Sequence, residues 1–104
     1  MILQNTTFVI DEAIEEIFLD WLRSEFVPAA AKSGSYEEKP RLHLILANAE
    51  PGTKNYAFQL QAARIDDARA WLGEGEGAAL LAAITRRLDG RMAHFSTYMD
   101  EIEL

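Results

Sequence analysis

The amino-acid sequence predicts an α+β domain of ferredoxin-like order: strand–helix–strand–strand–helix–strand, a four-stranded antiparallel sheet with both helices on one face. Three observations predict it. Residues 2–10 alternate in the two-residue period of a strand. Two apolar stripes at helical spacing follow, one over residues 14–26 and one over 68–88. Two more alternating segments, joined by a turn-rich loop, lie between the stripes, and a last one follows the second stripe.

In the first strand Ile2, Thr6, Phe8 and Ile10 fall on one side, and Leu3, Asn5, Thr7 and Val9 on the other. Both sides are partly apolar, so both are expected to be covered. Asp11 offers an N-cap, and Glu12, Glu15 and Glu16 load the first turns against the helix dipole. The helix is expected to bury Ile14, Ile17, Phe18, Trp21, Leu22 and Phe26. Pro28 is expected to end it, because proline lacks an amide hydrogen and disfavours a helical residue before it. Ala29–Lys32 could add one turn, with Gly34 as a left-handed stop.

A second strand region is expected over Tyr36–Ala47, limited by Pro40 to an edge or bulge in its first half. Residues 48–55 read as a hairpin loop. The third strand, Tyr56–Ala63, sets Tyr56, Phe58, Leu60 and Ala62 against Ala57, Gln59, Gln61 and Ala63. Asp66 or Asp67 opens the second helical region, whose stripe is Ala68, Trp71, Leu72, Leu80, Leu81, Ile84 and Leu88. Gly73, Gly75 and Gly77 interrupt it, each costing helix about 1 kcal/mol relative to alanine, so a break is expected there. Asp89-Gly90 ends it, and Met92–Met99 is the fourth strand.

The length of 104 residues suits one domain spanning 1–104. The chain has no cysteine, which excludes disulfides, thiolate metal sites and a cysteine nucleophile. Its net charge of −7 and scattered basic residues speak against nucleic acid and anionic membrane as partners. No signal-peptide pattern and no membrane-length apolar run is found, so a cytoplasmic, bacterial-type protein is expected. The sheet face away from the helices would carry Asn5, Thr7, Val9, His43, Ile45, Ala57, Gln59 and Gln61. That mixture is too apolar for an open surface and too polar for a dry core. A homodimer packing open face on open face would cover it, with room for a small apolar ligand between the sheets.

Landmarks along the whole chain resemble those of domain of unknown function family 4286. They are Met1-Ile2 with Asn5, Thr7 and Ile10-Asp11; Trp21 with Phe26-Val27-Pro28; Ser33-Gly34-Ser35-Tyr36; Arg41-Leu42; Tyr56-Ala57-Phe58-Gln59; and Phe95-Ser96-Thr97. The family pattern often has a histidine where this chain has Phe26 and an arginine where it has Ser96. The resemblance implies a ferredoxin-like fold of the dimeric α+β barrel type and implies no activity.

The candidate pocket residues are His43, His94, Gln59, Gln61 and Asn5. A histidine on an outer strand could act as a general base or a ligand to haem or metal, though a histidine satisfied on the sheet is the commoner case. No histidine–carboxylate spacing resembles a metal site. The amides could hydrogen-bond a ligand or pair across strands. The glycine–glutamate run lacks the lysine and hydroxyl residue of a phosphate loop. The acidic pairs, Glu15-Glu16 among them, read as solvated faces. The cofactor stays unassigned. Two functions follow: an unassigned dimeric domain holding a small apolar ligand, or a cofactor-poor enzyme, monooxygenase-like or haem-degrading-like, by analogy of fold. An RNA-binding domain of the same topology fails on charge.

Overall fold

β1 (Ile2–Asp11) forms the centre of the sheet, and its alternation explains why. Gln4, Thr6, Phe8 and Ile10 are buried on one side, and Leu3, Asn5, Thr7 and Val9 are half-buried on the other. The computed structural model describes residues 1–47 and 49–104. β2 (Arg41–Ile45), β3 (Thr53–Ala62) and β4 (Met92–Asp100) complete a sheet of order β2-β3-β1-β4. All three pairings are antiparallel, and β1 pairs with β3 over its whole length. The fold is therefore the expected ferredoxin-like α+β arrangement.

Asp11 caps the chain as it leaves β1, its carboxylate accepting the Ala13 N–H at 2.8 Å. A short 3-10 turn (Glu12–Ile14) leads into α1 (Glu15–Trp21), a π-helical segment (Leu22–Phe26) and α2 (Val27–Ser33). Pro28 does not end this arm. In the wider turn before it the Val27 N–H reaches back to the Leu22 carbonyl, and Pro28 then stands in the first turn of α2, where a missing donor costs little. Gly34, at φ +73°, makes the left-handed stop. Ile17 leaves the expected stripe: it is 43 % exposed. It lies about 100° round the helix from Phe18, outside the sector held by Ile14, Phe18 and Leu22.

β2 is shorter than the sequence suggests, because Pro40 cannot donate to a ladder and the chain before it does another job. There the Glu37 N–H donates to the Gln61 carbonyl at 2.8 Å. β3 begins at Thr53, so the hairpin loop is shorter than residues 48–55; position 48 lies outside the described residues. β4 runs one residue past Met99.

The second arm is broken as expected. It comprises α3 (Ile65–Ala68), a π-helical segment (Arg69–Glu74) and α4 (Glu76–Leu88). Gly75 interrupts it in extended backbone. Gly77 is buried against the Trp71 ring, where a β-carbon would lie 2.6 Å from Cε3. Both arms cover one face of the sheet, and the core between is aromatic. Phe8 meets Phe18 at 4.9 Å between ring centres, and Phe26 meets Trp71 at 5.2 Å and Phe58 at 5.6 Å.

Candidate functional site

The register sorts the polar residues onto two sides. Opposed residues on neighbouring strands share a face, so the open face resolves into rows across the sheet. One row is Ile45–Asn55–Val9–Ala93 and the next His43–Ala57–Thr7–Phe95. A third is Arg41–Gln59–Asn5–Thr97, and the last is Gln61–Leu3–Met99. A polar band thus crosses the middle of a face whose ends are apolar. Of the sequence candidates, Asn5, Gln59, Gln61 and His43 come together here. Asn5 donates its side-chain N–H to Thr7 Oγ1 at 3.1 Å. A shallow hollow of about 170 Å³ gathers Gln61 with Leu3 and Met99, and another of about 180 Å³ gathers Gln59 and Gln61 with Arg41.

His94 does not join them. It pairs with Phe8 in the β1–β4 register and so turns to the helix side, its ring centre 6.2 Å from that of Phe8. Burial there pushes its pKa below the ordinary imidazole value. The alternation of β4 explains the missing sequence signal. Met92, His94, Ser96 and Tyr98 form one set and Ala93, Phe95, Thr97 and Met99 the other, and neither set is plainly the inner one.

The helix side holds a polar cluster that sequence reading passed over. Gln4 is 1 % exposed and Thr6 fully buried. The Tyr36 hydroxyl donates to Gln4 Oε1 at 2.8 Å, and Thr6 and Ser96 share a hydroxyl–hydroxyl bond of 2.8 Å. Burial pushes the Tyr36 and Tyr98 phenols above their ordinary pKa, and the Arg69 guanidinium lies 5.7 Å from the Tyr98 ring centre. The available signal was positional: Gln4 and Thr6 stand in the same alternation as Phe8 and Ile10. Glu15, read as solvated, instead accepts from the Tyr56 hydroxyl and from Lys54 Nζ, the latter at 2.9 Å. Those donors hold its carboxyl below the usual range, while burial and the carboxylate push Tyr56 up to about 12. This trio ties α1 to β3; a phenol so raised is a poor proton donor at neutral pH.

Among the described residues no three histidine or carboxylate groups converge as metal ligands, and no helix is long and apolar enough to cross a membrane. The sequence profile described as "Domain of unknown function (DUF4286)" matches residues 1–102. The chain belongs to this family. In this DUF4286 chain Phe26 and Ser96 both lie on the helix side of the sheet. No curated protein matches the chain in sequence. Among solved structures, HapK from Hahella chejuensis is similar at a TM-score of 0.73 and 14 % identity, over 98 % of this chain and 93 % of that one. A putative antibiotic biosynthesis monooxygenase from Deinococcus radiodurans gives 0.71 and 13 %, over 100 % and 95 %. A dimeric ferredoxin-like protein from an uncultured marine organism gives 0.68 and 9 %, over 99 % and 98 %. At these identities the likeness shows the fold.

Proposed function

We propose that this DUF4286 domain works as a homodimer whose open sheet faces pack together and hold a small apolar ligand between them. The observation that carries the reading is Phe95, 59 % exposed on the face away from the helices. A single exposed aromatic residue is ordinary. Phe95 has company: Met99, 41 % exposed, lies two rows away, with Leu3, Val9 and Ile45 on the same face. Such an exposed apolar patch suits a partner surface, and a two-fold axis would set the polar row of Asn5 and Gln59 that crosses it against its own copy. The description of the marine neighbour as dimeric agrees with this.

The test is native mass spectrometry at low micromolar concentration. The wild-type chain is expected as a dimer carrying a retained small mass, and Phe95→Glu as a folded monomer. A monomeric wild type would overturn the reading. The second reading, a cofactor-poor oxygenase, draws on the description of the Deinococcus neighbour. It would use His43 as base beside Gln59, with His94 turned away from that space. It is the weaker reading, since only fold analogy supplies the chemistry.

A further inference from the structure

Resting on the face-to-face dimer argued above, we propose that the ligand held between the sheets is a monocarboxylic acid with an apolar body, and that Arg41 receives its carboxylate. The charge of the open face leads to this. Its four rows contain one side chain that stays charged at every pH near neutral, Arg41, and no acidic one. Among the described residues Arg41 forms no ion pair. Covering a charge that has no counter-charge is costly. A second copy related by a two-fold axis brings the same rows to the interface, again without a carboxylate. The negative charge must then come from what lies between the faces.

The surroundings of Arg41 set the kind of anion. The hollow of about 180 Å³ gathers it with Leu3, Glu38, Lys39, Gln59 and Gln61. Glu38 and Lys39 offset each other, which leaves the charge of Arg41 unbalanced. One excess positive charge matches a singly charged carboxylate better than a phosphate carrying nearly two. Arg41 opposes Gln59 and Leu3 opposes Gln61 in the register, so these four side chains stand on one face in adjoining rows. The planar guanidinium can donate two parallel N–H bonds to a carboxylate. The amide N–H groups of Gln59 and Gln61 add donors beside it.

The neighbouring hollow fixes the direction of the ligand. Leu3 and Gln61 line it too, together with Met1, Met99, Asp100 and Glu101. Its aliphatic and thioether side chains suit an apolar body, and its two acidic residues repel a carboxylate. The acid therefore lies with its head at Arg41 and its body across Leu3 and Met99.

The probes are 2-naphthylacetic acid and 2-naphthylacetamide, which share one body and differ by one charge. Isothermal titration of the wild-type dimer is expected to show saturable binding of the acid, at least about tenfold tighter than the amide, the worth of a hydrogen bond to a charged group. Arg41→Gln, at an exposed position, should remove this preference and leave the affinity for the amide unchanged. Glu38→Gln, also at an exposed position, removes a nearby negative charge and should tighten the acid severalfold. Native mass spectrometry of the same samples reports the dimer, so the two readings fail separately. A monomeric wild type would overturn both. A wild-type dimer that binds neither probe, or binds the amide at least as tightly as the acid, would overturn this one alone. So would an Arg41→Gln dimer that still prefers the acid. Should Arg41→Gln dissociate, Glu38→Gln decides: an affinity for the acid that does not rise overturns the proposal.

Discussion

Phe8 and Phe95 sit one register step apart on adjacent strands and have opposite surroundings. Phe8 is fully buried under the helices, packed against Phe18, Trp21 and Phe58. Phe95 points the other way and is 59 % exposed. The two faces of one sheet thus solve their apolar surface differently. One is covered by this chain's own helices, in a core that is almost entirely aromatic and aliphatic. The other keeps a polar row between apolar ends and is left uncovered by the helices. The lesson is that a strand's alternation reports only that two faces exist; what covers each depends on which elements the chain has left to spend.

The largest effect is expected from truncating both rings. Phe8→Ala is expected to cost about 3–5 kcal/mol in urea unfolding, as buried phenylalanines do. Phe95→Ala, measured where the chain is monomeric, should change stability by less than about 0.5 kcal/mol. Equal losses for the two would mean that the open face is folded over by the same chain. A stability that rises with protein concentration in the wild type, and not in Phe95→Ala, would sharpen the contrast instead.

The helical cover itself can be tested at a smaller scale. Gly77 meets the Trp71 ring so closely that Gly77→Ala forces the ring or α4 to move. The change is expected to destabilise by about 1–3 kcal/mol, although alanine is the better helix former. Gly73, which has open space around its missing side chain, is the control. Gly73→Ala should gain up to about 1 kcal/mol. If both variants gained, the close fit of α4 on Trp71 would not be what seats the second arm.

The smallest effect expected is a pH dependence from His94. Burial lowers its folded-state pKa below the ordinary value of 6.5. Above that value both folded and unfolded chains hold a neutral ring, and stability is complete. As pH falls below 6.5 the unfolded chain takes up the proton first, so stability declines until the folded-state pKa is passed. His94→Gln should remove this decline from the unfolding curves between pH 7 and 5. The loss from Glu15 is separate: its carboxyl is held below 4.5, so its contribution fades only in more acid solution. An unchanged profile in His94→Gln would mean that the ring is hydrated despite its place beside Phe8.

Much of the architecture was legible in the sequence because it rests on short-range patterns. The strand order, the cap at Asp11, the stop at Gly34 and the glycine break each follow from a few neighbouring residues. So did the placing of Asn5, Gln59 and Gln61 on the open face, since β1 and β3 alternate cleanly. Three other features were settled by packing between distant segments. Pro28 reads locally as a helix end, yet the π turn before it lets the arm continue and seats Ala29 and Ala30 against the core. His94 lies in a strand whose two faces are equally mixed, and only pairing with β1 turns it toward the helices. Gln4 looks like one polar residue among many, yet it is buried, with Tyr36, far along the chain, donating to its oxygen and its nitrogen finding no partner among the described residues. Which elements form can be read from the chain because propensity and alternation are local; which polar groups are buried together cannot, because burial depends on residues remote along the chain.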